Sequence, residues 1–385
     1  MKTPTPMKIL AIYFGAGSGI SIFYERIICE LAKSAEIDVL SDREAKASFV
    51  GVRNQYHLTY TKRMQSWYRK FLRWFGITPI SDRWSRKALD LVAKDYDVVL
   101  AFMATSQLTP AVCGKYISQK LGCKFAIYAV DAIPGPGGWT RKRNEFRGKQ
   151  KIVARTFSAA DYVASSNPHM LEYQLTVFPH KEGLQTGVLL TPSPDRYYNA
   201  APSNELLFLY TGSLYGMRNP DHFFKAFKRL LAKYPDAKVM IVGMKYKLRN
   251  INNILTAEER KHIILGGHTT DLEPLFSRAK VLVDIDADLE KDPFLSSKIV
   301  TYMKVNRVIL SETGRITPSR EMFAGLNTVV QCDHNEDSLY EGMLRAIEVA
   351  DSNPDFSERE PLIKEFSIER VSAKLREGLE SITAK

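Results

Sequence analysis

Cysteine and histidine are scarce, four and seven residues in a chain of 385. Cys29, Cys113, Cys123 and Cys332 form no C-x-x-C pair, and each lies in an apolar segment. A disulfide framework or a cysteine zinc site is therefore disfavoured, and the four are read as buried thiols. No apolar run reaches the roughly 18–20 residues that a membrane span needs. The opening stretch MKTPTPMKILAIYF has no signal-peptide cleavage pattern and runs directly into strand-like sequence, so a cytoplasmic protein is expected. No G-x-x-x-x-G-K-[ST] occurs, which disfavours a P-loop kinase or NTPase. The run GAGSG at 15–19 suggests a dinucleotide enzyme, but G-x-G-x-x-G is not completed and no ribose-binding acid is well placed. No paired carboxylates of the glycosidase kind stand out.

What is present is a soluble composition, 45% hydrophobic and 25% charged, long enough for two domains. The net charge of +11 favours phosphate-bearing partners: nucleotides, nucleic acid or an anionic membrane. Lys8–Phe14 is an apolar run of strand formers, followed by the glycine turn, a helical pattern from Ile22 and a second strand at 37–41. This is the opening of a doubly wound α/β domain. DYDVVLAFM, CKFAIYAVD and ADYVASSN read as further buried strands. A polar, proline-bearing stretch at 191–205 interrupts the pattern, and it then restarts. LLFLYTGSLYG, AKVMIVG, HIILGG, AKVLVDID, RVILSE and NTVVQC are strands of a second β/α domain, and 220–235 is a helix with proline in its first turn. The expected division is 1–195, 196–365, and a C-terminal helix from 366–385 returning to the first domain. Ligands of such sheets bind at the carboxyl ends of the strands.

One stretch breaks the alternation. Residues 56–87 carry eight Lys or Arg against the single acid Asp82, interleaved with Trp67, Tyr68, Phe71, Trp74 and Phe75. Positions 67, 71, 74 and 75 share a helical face. Two readings stand: a helix packed on its own domain, and a basic amphipathic element lying on anionic lipid at the inner membrane surface. Nucleic acid is disfavoured, because no recognition motif accompanies the charge.

The candidate chemistry lies mostly in the second half. Gly212 and Gly216 let the chain turn after a strand, and Arg218 follows, where it can pair with a diphosphate. Lys245 repeats that logic after the next strand. Ser296 or Ser297 can cap a helix beginning near Lys298, whose charge adds to an end attractive to phosphate. Asp292 precedes the turn, where a carboxylate can hold sugar hydroxyls. Asp284, Asp286 and Asp288 have the look of a metal-binding D-x-D, but no metal site is expected from them. Asp131 ends a strand of the first domain and reads equally as a structural acid or as one that orients an acceptor.

The segments TGSLYGMRNPDHFFKAFKRLL, KVMIVG, IILGGHTTDLEPLFSRAKVLVDI and FLSSKIVTYMKVNRVILSETG occur in the order and spacing of bacterial GT-B glycosyltransferases. They are most similar to the retaining, metal-independent group (glycosyltransferase family 4-like) that builds capsules, O-antigens and cell-wall glycans. In the first half GAGSG, YAVDAIPGP and AADYVASSNPHM resemble the family more weakly. The resemblance implies two Rossmann-like domains and no cofactor. It implies a nucleotide-diphosphate sugar held by Gly212, Ser213, Arg218, Lys245, His268, Asp292, Ser296, Ser297, Lys298 and Thr301, with Gly17, Ser18 and Gly19 from the first domain. Arg218 and Lys298 would stabilise the leaving diphosphate, and Asp131 would act on the acceptor side, toward a glycan or lipid-linked acceptor. Retention implies no enzyme nucleophile. The chain departs from the pattern at three places. Pro293 and Thr301 occupy the positions of the paired glutamates, Ser213 replaces an arginine, and LAFMATSQ lacks a histidine. Two alternatives therefore stay open: a non-catalytic relative that binds a nucleotide sugar or a partner transferase, and, less favoured, a nucleotide-sugar epimerase.

Overall fold

The computed structural model describes residues 6–16, 20–44, 49–60, 66–133, 135–136, 139, 143–201, 203–243, 248 and 250–384. The chain divides into two compact units, one of 1–192 with 367–385 and one of 193–366.

The first unit is built on seven strands: β1 (Lys8–Tyr13), β2 (Glu36–Ser41), β3 (Asn54–His57), β4 (Val98–Met103), β5 (Lys124–Ala129), β6 (Tyr162–Ser165) and β7 (Gln185–Val188). They pair in parallel in the order β3-β2-β1-β4-β5-β6-β7. Parallel strands need crossovers, and helices on the sheet faces explain why β1, β4 and β5 read as unbroken apolar runs. Those helices are α1 (Ser21–Leu31), α2 (Ser66–Trp74), α3 (Pro79–Leu91), α4 (Thr109–Leu121), α5 (Arg143–Phe157) and α6 (Pro168–Val177). β3 and β7 were not expected. Both are short, polar edge strands, NQYH and QTGV, with no apolar alternation to betray them.

The basic segment at 56–87 is not one inserted element. It holds the end of β3, then α2, then most of α3. Trp84 and Ala88, one turn apart on α3, are buried with Leu10, Ile12, Phe14 and Val99. Trp84 donates its indole N–H to the Leu58 carbonyl at 2.7 Å. The second half of the segment is therefore core, and its charges lie on the other faces of a packed helix. The thiols also differ from expectation in part. All four are free, but only Cys113 and Cys332 are buried, and burial pushes each up to about 12.

The second unit has six parallel strands, β8 (Leu207–Thr211), β9 (Lys238–Val242), β10 (Ile263–Gly266), β11 (Val281–Ile285), β12 (Val308–Glu312) and β13 (Val329–Cys332), in the order β10-β9-β8-β11-β12-β13. Its helices are α7 (Asp221–Lys233), α8 (Ile251–Ile254), α9 (Glu273–Arg278), α10 (Ser297–Tyr302), α11 (Pro318–Met322), α12 (Glu336–Asp351) and α13 (Glu360–Glu365). Phe223, Phe227 and Leu230 of α7 meet Leu339, Met343 and Ala346 of α12 over one face of the sheet. Each trio repeats at three- and four-residue spacing, the period of an apolar helix stripe. The last helix, α14 (Ile368–Thr383), packs on α1, β6 and β7 of the first unit. Both sheets are doubly wound and Rossmann-like. Their strand order reverses between β1 and β4, and between β8 and β11, and such reversals open crevices at the strand ends.

Candidate functional site

The reversal in the second sheet gathers most of the expected chemistry. β8 ends at Thr211, and Gly212 follows with φ +115°, a conformation that only glycine adopts without strain. The Gly212 amide donates to the Val242 carbonyl at 2.7 Å. A Cβ added at Gly212 would stand 3.1 Å from Cδ of Lys298, so the glycine makes room for that lysine's stem. Ser213 donates its hydroxyl to the Gly243 carbonyl at 3.3 Å. Thr211 in turn anchors α10: its amide donates to the Tyr302 phenol at 2.8 Å, and the two hydroxyls lie 2.9 Å apart. One strand end and one short helix are thus tied together, with Lys298 between them.

Lys298 has a side chain only 13% exposed, with Nζ 3.5 Å from Asp284 Oδ1 and 5.2 Å from the Tyr210 ring centre. Burial pulls its pKa down, opposed by Asp284. Arg218 stacks 5.1 Å from the Tyr215 ring centre. Burial works against its charge, but the nearby Tyr215, Asp286, Tyr210 and Asp284 outweigh that and raise its pKa.

Asp284 and Asp286 close the other side of the crevice from the end of β11, both buried. Side chains two apart on an extended segment point the same way. Asp284 Oδ1 accepts the Ser296 hydroxyl at 2.8 Å. Asp286 Oδ2 accepts the Ser319 hydroxyl at 3.0 Å and that of Thr313 at 3.3 Å. Burial first, and then the Asp284 charge, push the Asp286 carboxyl up to about 7, against Arg218 and Lys298. Further along the edge, His334 Nδ1 lies 3.0 Å from Glu312 Oε1. Burial raises the Glu312 pKa, with His334 opposing, while the pairing with Glu312 overcomes burial and raises that of His334. Among the described residues, no group of three or more His, Cys, Asp or Glu side chains is arranged to hold a metal ion.

The structure therefore brings Gly212, Ser213, Arg218, Ser296 and Lys298 together. One of the expected roles changes. Ser296 is the N-cap residue of α10 but does not cap it, and its hydroxyl is committed to Asp284 instead of facing a ligand phosphate. Asp292 lies inside, its Oδ1 accepting the Phe294 amide at 3.4 Å within its own loop. Ser297 is exposed at the start of α10, and Thr301 follows one turn later. His268 is exposed beyond β10. Asp131, in the first unit, accepts the Thr105 amide at 2.8 Å, and its carbonyl accepts the Gln174 side chain at 2.8 Å. Gly17, Ser18, Gly19 and Lys245 lie outside the described residues. Sequence reasoning passed over Asp284 and Asp286 as partners of the cations, and it passed over the Glu312–His334 pair altogether. The readable signal was two acids at alternate positions ending an apolar strand.

Residues 195–284 match the family described as glycosyl transferases group 1. No curated protein matches the chain significantly. Among solved structures, HepE of Anabaena in complex with UDP and glucose superposes with a TM-score of 0.69 at 14% identity, covering 97% of this chain and 100% of that one. A glycosyltransferase from Rickettsia africae gives 0.69 at 14% identity, covering 98% of each chain. The UDP-GlcNAc 2-epimerase of Neisseria meningitidis, bound to UDP-GlcNAc, gives 0.56 at 14% identity, covering 97% of this chain and 100% of that one. At these identities the likeness is one of fold, shared by transferases and epimerases alike. The family match spans the Arg218 loop and Asp284 in the second unit, and the likeness to the solved structures is one of GT-B architecture.

Proposed function

We propose that this enzyme moves a sugar from a nucleotide-diphosphate sugar to a glycan or lipid-linked acceptor, with retention, in the synthesis of bacterial surface polysaccharide. The observation that carries the donor assignment is the meeting of Arg218 and Lys298 at the strand-order reversal of the second sheet. HepE, solved with UDP-glucose, supports the ligand class. In the proposed step the bond between the anomeric carbon and the phosphate oxygen breaks, and its electron pair leaves with the diphosphate. Arg218 and Lys298 stabilise that charge from a partly desolvated position, where cations act more strongly than in water. The acceptor hydroxyl attacks the same face, and its proton passes to the departing diphosphate. Asp131 orients the acceptor. Pro293 and Thr301, standing where the family has acids, favour a second reading in which the nucleotide sugar is bound but not consumed.

The test is thermal unfolding with UDP-, GDP-, ADP- and dTDP-sugars without added metal, on the native chain and on Arg218→Ala and Lys298→Ala. A ligand at 100 times its dissociation constant adds about 2.7 kcal/mol to the folded state. One nucleotide should raise the midpoint, and the rise should be lost in both variants. The rise is compared, not the midpoint itself, because Lys298→Ala also strips buried Asp284 of its counter-charge. No rise with any nucleotide rejects the donor site. Binding with no transfer to any acceptor supports the second reading.

A further inference from the structure

The crevice that holds two cations also holds the acids that cancel them. Asp284 and Asp286 are both buried, and with Arg218 and Lys298 they sum to zero when all four are charged. A diphosphate brought to such a cluster gains little from cations already neutralised at close range, unless one acid gives up its charge.

The two acids differ in how they are held. Asp284 Oδ1 faces Lys298 at 3.5 Å and accepts from Ser296. Asp286 has both its hydroxyl donors, Ser319 and Thr313, on Oδ2. Its Oδ1 is buried with no hydrogen-bond partner among the described residues, as is Asp284 Oδ2, but among those residues Asp286 makes no ion pair of the kind that Asp284 makes with Lys298. A dry, unpartnered carboxylate oxygen is poorly suited to charge and well suited to a proton.

We propose that Asp284 and Asp286 are positioning residues for Arg218 and Lys298, and that Asp286 takes up a proton on Oδ1 when the diphosphate of the donor arrives. This rests on the nucleotide-sugar reading above. Burial and the Asp284 charge already favour the protonated form of Asp286, and a nearby diphosphate favours it further. The charges facing Asp286 are Asp284 on its own strand end, Arg218 after β8, Asp292 in the following loop, Lys298 on α10 and His334 after β13, the last paired with Glu312. His334, whose pKa the pairing with Glu312 raises against the effect of burial, is the control.

Calorimetry of UDP-glucose and GDP-mannose binding, in two buffers of different ionisation enthalpy from pH 6.5 to 8.5, counts the protons taken up. The native chain should take up a fraction of a proton per nucleotide that rises toward one as pH rises, with affinity falling by up to about tenfold per pH unit. Asp286→Asn should bind without proton uptake and with a flat pH profile, while His334→Asn should behave like the native chain. Asp286→Ser, which keeps a hydroxyl and no charge, is the second variant should the asparagine fold poorly. Uptake that persists in both Asp286 variants, or that disappears in His334→Asn, overturns the proton assignment and leaves the donor site standing. Failure of every nucleotide sugar to bind overturns the donor reading, and this inference with it. A readout free of ligand runs beside these. A carboxyl whose folded pKa exceeds its unfolded value loses stability as pH rises from about 4 to about 7. Native stability should show that fall, and Asp286→Asn should flatten it.

Discussion

Arg359 is fully buried in the second unit, and five hydrogen-bond acceptors surround its guanidinium, the farthest being the Tyr302 carbonyl at 3.5 Å from Nη1. Nε donates to the Thr328 hydroxyl at 2.8 Å, Nη1 to the Val305 carbonyl at 2.9 Å, and Nη2 to the carbonyls of Arg307 and Thr328, both at 2.8 Å. Burial pulls its pKa down to about 9, which still leaves it charged at neutral pH. The Val305 and Arg307 carbonyls belong to the turn that leaves α10, the helix that carries Lys298. One side chain far along the sequence therefore fixes the exit of the site helix. Arg359→Met keeps much of the volume but strands several buried carbonyls, and each unsatisfied group costs about 1–3 kcal/mol. Urea unfolding followed by circular dichroism should show a loss of at least about 3 kcal/mol. A loss under about 1 kcal/mol would mean that the turn holds its shape without the guanidinium.

Among the described residues, α2 carries a face of exposed aromatic side chains. Trp67, Phe71, Trp74 and Phe75 are 65%, 50%, 46% and 51% exposed, while α2 also packs against α5. Gly76 closes the helix at φ +72°, and a Cβ there would come within 2.8 Å of the Lys151 Cβ. The aromatic face together with the eight-to-one excess of basic residues across 56–87 suits an anionic lipid surface. Sedimentation with phosphatidylglycerol vesicles should retain the protein at low salt, and phosphatidylcholine vesicles should not. Trp67→Ser with Phe71→Ser should weaken the retention at least about tenfold, since each aromatic ring buries some 150–250 Å². Equal retention by both lipids, or none, rejects the membrane role. This helix was legible in the sequence because its period is local. So were the long buried strands and the glycine turn at Gly212, where one residue type answers one conformation. The rest was not, because it depends on meetings across the fold. Ser296 reads as a cap until a strand twelve residues earlier supplies Asp284. Trp84 falls inside the basic segment 56–87, and nothing local to it tells that the core receives it.

For the whole molecule, the placing of tryptophan makes the two units separable by experiment. All four tryptophans, Trp67, Trp74, Trp84 and Trp139, lie in the first unit, so their emission reports its unfolding directly. That unit includes α14, from the far end of the chain. Gly378 of α14 and Gly187 of β7 both abut Tyr162 of β6, and a Cβ at Gly378 would come within 2.4 Å of the tyrosine ring. The ring is buried and cannot retreat without disturbing the strand pair beneath it. Gly378→Leu should therefore cost about 1–3 kcal/mol by overpacking, even though leucine is the better helix former by somewhat under 1 kcal/mol. The transition followed by tryptophan emission should fall in temperature accordingly. Nucleotide-sugar affinity should be unchanged, because the proposed donor residues all described at the second sheet, Gly212, Arg218 and Lys298, are far along the chain from this contact and lie in the other unit. A tryptophan transition that does not move would show that α14 is dispensable to the first unit. A fall in affinity matching the loss of stability would show that donor binding needs the first unit intact, and would move part of the donor site there.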